Sequence, residues 1–367
     1  MTVLGTRALN RALLARQHLL SRTALPALDL IEHLVGMQAQ APFPPYYGLW
    51  TRLRGFQPDE LSRLLLDREV VRIVLMRGTV HLVSAADAAA LRPLTQPILD
   101  RDLRGNTTFT PKLAGLDLGE LERETRTILS GAPHTSAELG RALARRWPDR
   151  EPAALTYAAR NRLPLVQVPP RAVWGRSGQT AYATVDEWLG RPVDEHPDAE
   201  RMVLRYLAAF GPASVRDVQA WCGLTRLGDV VARLRPRLCV FRGADGRELF
   251  DLPGAPRPDP ATPAPPRFVP EFDNLLFSHA DRTRVISDAD RKGISTRNAV
   301  APAVLLVNGF VRATWRIERG KESAVLDVRP LRALSKKDTA AVRAEGRRLL
   351  RFAGVEDGEV RVGSAGA

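Results

Sequence analysis

The chain has 367 residues, of which 44% are hydrophobic, and a formal net charge of +13. That length suggests two to four structural modules with ample core, and no apolar run reaches the roughly 18 residues of a membrane span, because charged residues interrupt each candidate. The positive balance suits a polyanionic partner. Nearly all of it is arginine, only Lys112, Lys292, Lys321, Lys336 and Lys337 being lysines. Arginine bias also follows from a genome rich in G and C, yet arginine pairs bidentately with phosphate. Cys222 and Cys239 lack the spacing of a zinc site or a disulfide framework and read as small core residues in a reducing cytoplasm. No metal or cofactor is expected.

In chain order, the first helix carries Arg7, Arg11, Arg16 and Arg22 with no acidic residue before Asp29, and buries Leu9, Ala12, Leu13 and Leu19. It reads as a first helix rather than a transit peptide. Ala27, Leu30, Ile31, Leu34 and Val35 then fall at i, i+3, i+4, i+7 and i+8, an apolar helical stripe. Gly36-Met37-Gln38-Ala39-Gln40-Ala41-Pro42 closes it, and Pro42, Pro44 and Pro45 forbid continuation. Along an extended exit, alternation points Gln38 and Gln40 the same way and Ala39 into the core. Two neutral amides can hold a water but cannot deprotonate it. Glutamines at a helix end are also ordinary solvated polar residues.

Pro45 to Leu53 and Pro58 to Asp67 are predicted helices, followed by strands Val70 to Met76 and Thr79 to Val83 joined through Arg77-Gly78. Helices and then a two-stranded ribbon is the order of a winged helix. Residues 117 to 188 repeat it. Leu118 to Leu129 and Pro152 to Asn161 are helices, Thr135 to Glu138 opens another with a capping box, and Leu165 to Val168 pairs with Thr180 to Ala183. The intervening loop, Pro169 to Gln179, carries Arg171, Trp174 and Arg176, the content of a nucleic-acid-contacting wing or of an ordinary exposed hairpin tip. A third pass runs from Asp198 to Leu252: Val203 to Phe210, Val215 to Trp221 capped by Ser214, Thr225 to Leu234, then a ribbon around Asp245-Gly246.

Gly254 to Pro266 is a stiff proline-rich connector. Short strands at Val304 to Val307, Phe310 to Ile317 and Ser323 to Val328 suggest a small barrel, followed by a helix over Lys336 to Phe352 and a frayed end at Gly363 to Ala367. Ahead of the barrel, Asp281 to Asn298 carries Arg282, Arg284, Arg291, Lys292 and Arg297 in a loop or hairpin around Gly293. These residues form either a solvated charge run or a phosphate-contacting projection. The expected class is α+β, with three tandem winged-helix units (1–95, 96–190, 191–255) and a connector with a barrel-like domain (256–367).

Three passages, Gly36-Met37-Gln38-Ala39-Gln40, Met76-Arg77-Gly78-Thr79-Val80-His81-Leu82 and Glu271-Phe272-Asp273-Asn274-Leu275-Leu276-Phe277-Ser278-His279-Ala280-Asp281-Arg282, resemble winged-helix DNA glycosylases of the AlkZ type. These are self-resistance enzymes that accompany DNA-alkylating antibiotics in actinomycetes. The first passage matches that family's glutamine, apolar residue, glutamine signature. The resemblance implies a basic concave surface for duplex DNA, Gln38 and Gln40 as the catalytic centre, and a hairpin entering the cleft. That hairpin maps to Ile286 through Val300, with the Arg171 to Gln179 wing as competitor. The implied substrates are N7-alkylguanine adducts and interstrand crosslinks of the azinomycin type.

The chemistry is compatible with amides. Glutamine has no titratable proton in range, so it cannot supply the roughly 10² to 10⁴ of a general base. An N7-alkylated guanine is already cationic and leaves neutral, so positioning one water and stabilising an oxocarbenium-like sugar can suffice. A crosslink tethers both strands, which favours an open cleft over complete base flipping. His81 is a further polar group of the site or a satisfied core histidine. Trp50 reads as core, and Tyr46 and Tyr47 fit either stacking on DNA or core filling. The expected protein is a monomeric, cytoplasmic, nucleoid-associated glycosylase without a Schiff-base lysine at its site. The alternative is a non-enzymatic winged-helix DNA-binding protein or transcriptional regulator.

Overall fold

The computed structural model describes residues 2–294, 302–320 and 324–364. The chain opens with β1 (Val3–Leu4) and α1 (Thr6–Arg16). There follow α2 (Ala27–His33), β2 (Met37–Gln38), α3 (Pro44–Arg52), α4 (Pro58–Leu66) and the ribbon β3 (Val70–Val74) and β4 (Val80–Ser84). After α5 (Ala85–Gly105) come α6 (Leu118–Leu129), β5 (His134–Thr135), α7 (Ser136–Arg146), α8 (Pro152–Arg162) and the ribbon β6 (Leu165–Gln167) and β7 (Ala181–Thr184). The order recurs after α9 (Val185–Leu189), with α10 (Ala199–Phe210), α11 (Val215–Cys222), α12 (Gly228–Leu234) and the ribbon β8 (Cys239–Gly243) and β9 (Glu248–Asp251). The rest comprises β10 (Arg267–Val269), α13 (Asp288–Ile294), β11 (Val304–Val307), β12 (Phe310–Arg319), β13 (Ala324–Pro330), α14 (Lys336–Phe352) and β14 (Glu359–Val362). Among the described residues no helix is long and apolar enough to cross a membrane.

Local chemistry explains many boundaries. Capping boxes start α4 (Gln57 with Glu60), α7 (Thr135 with Glu138) and α11 (Ser214 with Asp217), each satisfying orphan N–H groups reciprocally. Helix α5 runs through Pro93 and Pro97, which conceal it in the sequence because proline removes a helical hydrogen bond and crowds the preceding turn. The Ala89 carbonyl, which Pro93 cannot serve, instead accepts the Asp194 N–H at 3.1 Å. Burial of Leu91, Ile98 and Leu99 holds the helix against its neighbours.

Tertiary pairing departs from three independent ribbons. The first two fuse into one six-stranded sheet of order β2-β4-β3-β6-β7-β5, joined by Arg72 opposite Gln167 and Ile73 opposite Val166. The division at residue 95 therefore falls within α5 and beneath a shared sheet. The third ribbon pairs with β1 in parallel, Val3 opposite Arg242. The expected barrel is corrected: β10-β11-β12-β13-β14 is an open sheet. Its shortest strand, β10, has three residues and pairs with β11 alone, and Val342, Leu349 and Leu350 of α14 bury into the sheet's core, so apolar cover comes from a helix rather than from closure.

Helix α1 is the strut between these bodies. Leu13 and Leu14 enter the core shared with α10 and α11, but its polar side is buried too. Asn10 donates to the carbonyls of Arg284 and Gly309 at 2.7 and 2.8 Å, and Arg11 to the Thr262 carbonyl at 2.7 Å. Arg16 forms a bidentate pair with Asp251 at 2.6 and 2.8 Å, both side chains being almost wholly enclosed. Removing one member of a buried pair strands the other charge, at a cost of about 3–5 kcal/mol. Asp251→Ala is accordingly expected to lower the unfolding free energy from urea titration by an amount in that range at unchanged m-value, and a loss below 1 kcal/mol would contradict this role for the pair.

Candidate active site

Helix α2 ends at Leu34, and the chain then turns through two left-handed residues, Val35 at φ 54° and Gly36 at φ 87°. The first is costly for a β-branched side chain. At the second there is no room for a side chain, since a Cβ would stand 2.5 Å from Val83 Cγ1 and 3.1 Å from the Leu82 carbonyl. The turn delivers Met37 and Gln38 onto the edge of β4, with Gln38 opposite His81. Ala39 is fully buried and donates to the Val80 carbonyl at 2.7 Å. Gln40 is exposed.

Both glutamine oxygens accept hydrogen bonds. Gln38 Oε1 takes one from Arg77 Nη2 at 2.8 Å, and Gln40 Oε1 takes the Val80 N–H at 3.0 Å. Arg77 Nη2 also reaches Asn274 Oδ1 at 2.9 Å, and Nη1 donates to the Trp221 carbonyl. Burial and the nearby Arg282 push the Arg77 guanidinium down to about 10, so it stays charged at neutral pH. Among the described residues neither glutamine Nε2 has a partner, so the uncommitted end of each amide is a donor.

Gln38, at 8% exposure, lines a narrow cleft with Gln17, Arg52, Glu271, Asp273 and Asn274. Its free volume of about 10 Å³ is that of about one water. Arg52 and Asp273 brace one wall through a bidentate pair at 2.8 and 2.9 Å, and Gln17 Oε1 accepts from Arg52 at 3.1 Å. Phe272, between Glu271 and Asp273, is left-handed at φ 60°, as is Arg77 at φ 55°. With Val35, three non-glycine residues in this unfavourable region adjoin or bond residues that line the cleft, the pattern of strain held by surrounding structure at a working site. Gln40 does not line the cleft; it is exposed, with its side-chain oxygen on the Val80 amide.

His81 is wholly buried. Nδ1 bonds to the Thr79 carbonyl at 3.0 Å, and Nε2 has no partner among the described residues. Burial, reinforced by Arg77, pushes the imidazole down to about 3, so it supports Gln38 as a strand neighbour and is neutral at working pH.

The expected DNA-contacting residues divide. Arg176 is exposed, but Arg171 donates to the Gly178 carbonyl at 3.0 Å and staples its own loop. That loop does not project as a wing: Trp174 packs among Phe43, Tyr46, Tyr47 and Phe352, and the Tyr46 hydroxyl donates to the Ala172 carbonyl at 2.7 Å. Arg282 is half-buried over the Phe277 ring, 5.2 Å away. Arg284 is corrected outright, being 5% exposed and donating to the Pro212 carbonyl at 2.8 Å. Arg291 and Lys292 are exposed on α13, where a loop or hairpin arm was expected. Arg297, with residues 295–300 of the expected hairpin, lies outside the described residues. Reading the sequence assigned no roles to Arg77, Glu271 or Asn274. Their only signal was that all three fall within the passages carrying the family resemblance.

The cleft thus holds a neutral amide fixed by an arginine in a basic chain. The chain belongs to the AlkZ-like DNA glycosylase family, whose profile, described as DNA glycosylase AlkZ-like, matches residues 31–352. It is 23% identical over 376 residues, 95% of this chain and 96% of the relative, to an interstrand DNA cross-link repair glycosylase of Streptomyces sahachiroi. Among solved structures it is similar to the Streptomyces sahachiroi DNA glycosylase AlkZ, with a TM-score of 0.80 and 20% identity over 99% of this chain and 100% of that one. At that identity the structural likeness speaks for the fold.

Gly36→Ala combines a left-handed backbone with overpacking and is expected to cost roughly 2–4 kcal/mol in urea unfolding, with base excision reduced as Gln38 shifts; an unchanged midpoint would refute the steric reading. The pH dependence of stability tests His81. A histidine whose folded value lies near 3 rather than 6.5 takes up its proton on unfolding, so stability falls as pH drops from 6.5 toward 3. The limiting slope is about 1.4 kcal/mol per pH unit. His81→Gln is expected to flatten the slope between pH 6 and 4 by about that amount, measured against wild type by urea midpoints.

Proposed function

We propose that this glycosylase is monofunctional, hydrolysing the N-glycosidic bond of cationic N7-alkylpurines in duplex DNA and unhooking interstrand crosslinks that contain them. The observation that carries the reading is Gln38, a neutral amide held by Arg77, which is itself bonded to Asn274, beside space for one water. Such a group orients water without activating it strongly, so it suits a bond already weakened by positive charge on the leaving base. As that bond breaks, its electron pair neutralises the purine and leaves an oxocarbenium-like sugar facing the water.

No lysine lines the cleft among the described residues, which favours hydrolysis over a Schiff-base route with strand cleavage. The relative's description as a cross-link repair enzyme supports the crosslink substrate here, and the exposure of Gln40 suits a lesion that cannot be fully extruded. In this reading the three helix-plus-ribbon passes are winged-helix units that seat the duplex, Gln40 holds the water or sugar, and exposed Arg176, Arg291 and Lys292 contribute phosphate contacts. The protein acts as a monomer at the nucleoid.

Single-turnover excision from an N7-methylguanine duplex is the test. The wild type is expected to release the modified base and leave an intact abasic strand, with no action on unmodified guanine, and Gln38→Ala with Gln40→Ala to lose at least about tenfold in rate. Full activity of the double variant, or no abasic product from wild type, would reject the assignment.

A further inference from the structure

We propose that the Glu271 carboxylate accepts the proton of the hydrolytic water, an inference that rests on the hydrolytic reading above. The need arises from the amides. With Gln38 Oε1 taken by Arg77 and Gln40 Oε1 by the Val80 amide, the uncommitted end of each side chain donates. Donors hold a water by one lone pair and leave its O–H bonds without an acceptor. Glu271 lines the same one-water cleft as Gln38 and supplies one.

Its setting differs from that of the acid two residues on. Asp273 is committed, bidentate to Arg52 and accepting the Leu275 N–H at 2.9 Å. Glu271 makes no hydrogen bond or ion pair with any described residue, in a chain of 54 basic and 41 acidic side chains. Glu271 is exposed, so its carboxylate is open to a water or a ligand at the cleft. Glu271 also borders a second, larger pocket of about 350 Å³ with Tyr47, Trp315, Arg316 and Arg319, so it stands between the floor at Gln38 and the open side from which a nucleotide enters.

The cleft walls raise the Glu271 carboxyl above its ordinary value by desolvation, which makes it a stronger base. The charged and titratable groups facing it are the Arg52–Asp273 pair, Tyr47 on α3, whose phenol burial pushes up, and Arg316 and Arg319 on β12. In the step, the water oxygen forms the bond to C1′ while the C1′–N9 pair departs with the neutral N7-alkylpurine. The water's proton passes to a Glu271 carboxylate oxygen and then to solvent. An anion there also offsets the charge gathering on the sugar.

The test is single-turnover excision of N7-methylguanine from duplex DNA between pH 4.5 and 8.5, corrected for spontaneous depurination, with Glu271→Gln and Glu271→Asp. Wild-type rate is expected to fall tenfold per unit as pH drops below the raised Glu271 value. Glu271→Gln should lose that acid limb and run at least about tenfold slower at pH 7, with DNA affinity within about twofold of wild type. Glu271→Asp should keep the limb at an intermediate rate. A glutamine variant with the wild-type rate or limb, or an aspartate variant indistinguishable from it, overturns the role of Glu271. A wild type inactive at every pH overturns the reaction itself, a failure distinct from the other two.

Discussion

The buried Arg77 guanidinium is the interaction on which the site depends. It sits between two strands of the first ribbon in a left-handed conformation and reaches three separate parts of the chain: Gln38 on β2, Asn274 beyond the connector, and the Trp221 carbonyl at the end of α11. Enclosing a cation is expensive unless its hydrogen bonds are met. Here they are met by groups of different sequence origin, so the cation and the cleft wall require one another. Gly223, which ends α11, would bring a Cβ within 3.1 Å of the Arg77 backbone, so this approach depends on a residue without a side chain.

The same logic recurs at larger scale. Arg16 with Asp251, Arg52 with Asp273 and Arg205 with Asp87 are ion pairs joining elements far apart in the chain. The arginine richness is thus partly internal: several cations expected to favour a polyanion instead hold the modules together, Arg284 among them. Each such pair is neutral, so the net excess of +13 resides in other cations, among them the exposed Arg176 and the adjacent Arg291 and Lys292 on α13.

Chemically, the cleft combines neutral amides that orient, a buried cation that fixes one of them, and an unpaired carboxylate at the mouth. A strongly acidic or basic pair is unnecessary when the leaving base carries its own positive charge. Under the proposed reading, a weakly activating site would also spare unmodified DNA, because the bond to a neutral purine lacks the built-in driving force.

Local order was legible in the sequence wherever the physics is local. The α2 stripe, the stop at Pro42 to Pro45, the caps at Thr135 and Ser214 and the helix-then-ribbon order all follow from spacing and backbone chemistry within a few residues, and so does the inward face of Ala39; that Gln38 is buried while Gln40 stays exposed does not. Helix α5 was hidden because its prolines read as breakers, while burial of its apolar face and a contact from Asp194 to the Ala89 carbonyl come from distant parts of the chain. The fusion of two ribbons into one sheet, the open C-terminal sheet and the joining of Gln38 to Arg77, Asn274 and Glu271 were decided by tertiary structure. Those residues stand up to 236 positions from Gln38 along the chain, and pairings over such separations leave no periodicity to read: they are chosen by which buried polar groups must be satisfied once the modules pack.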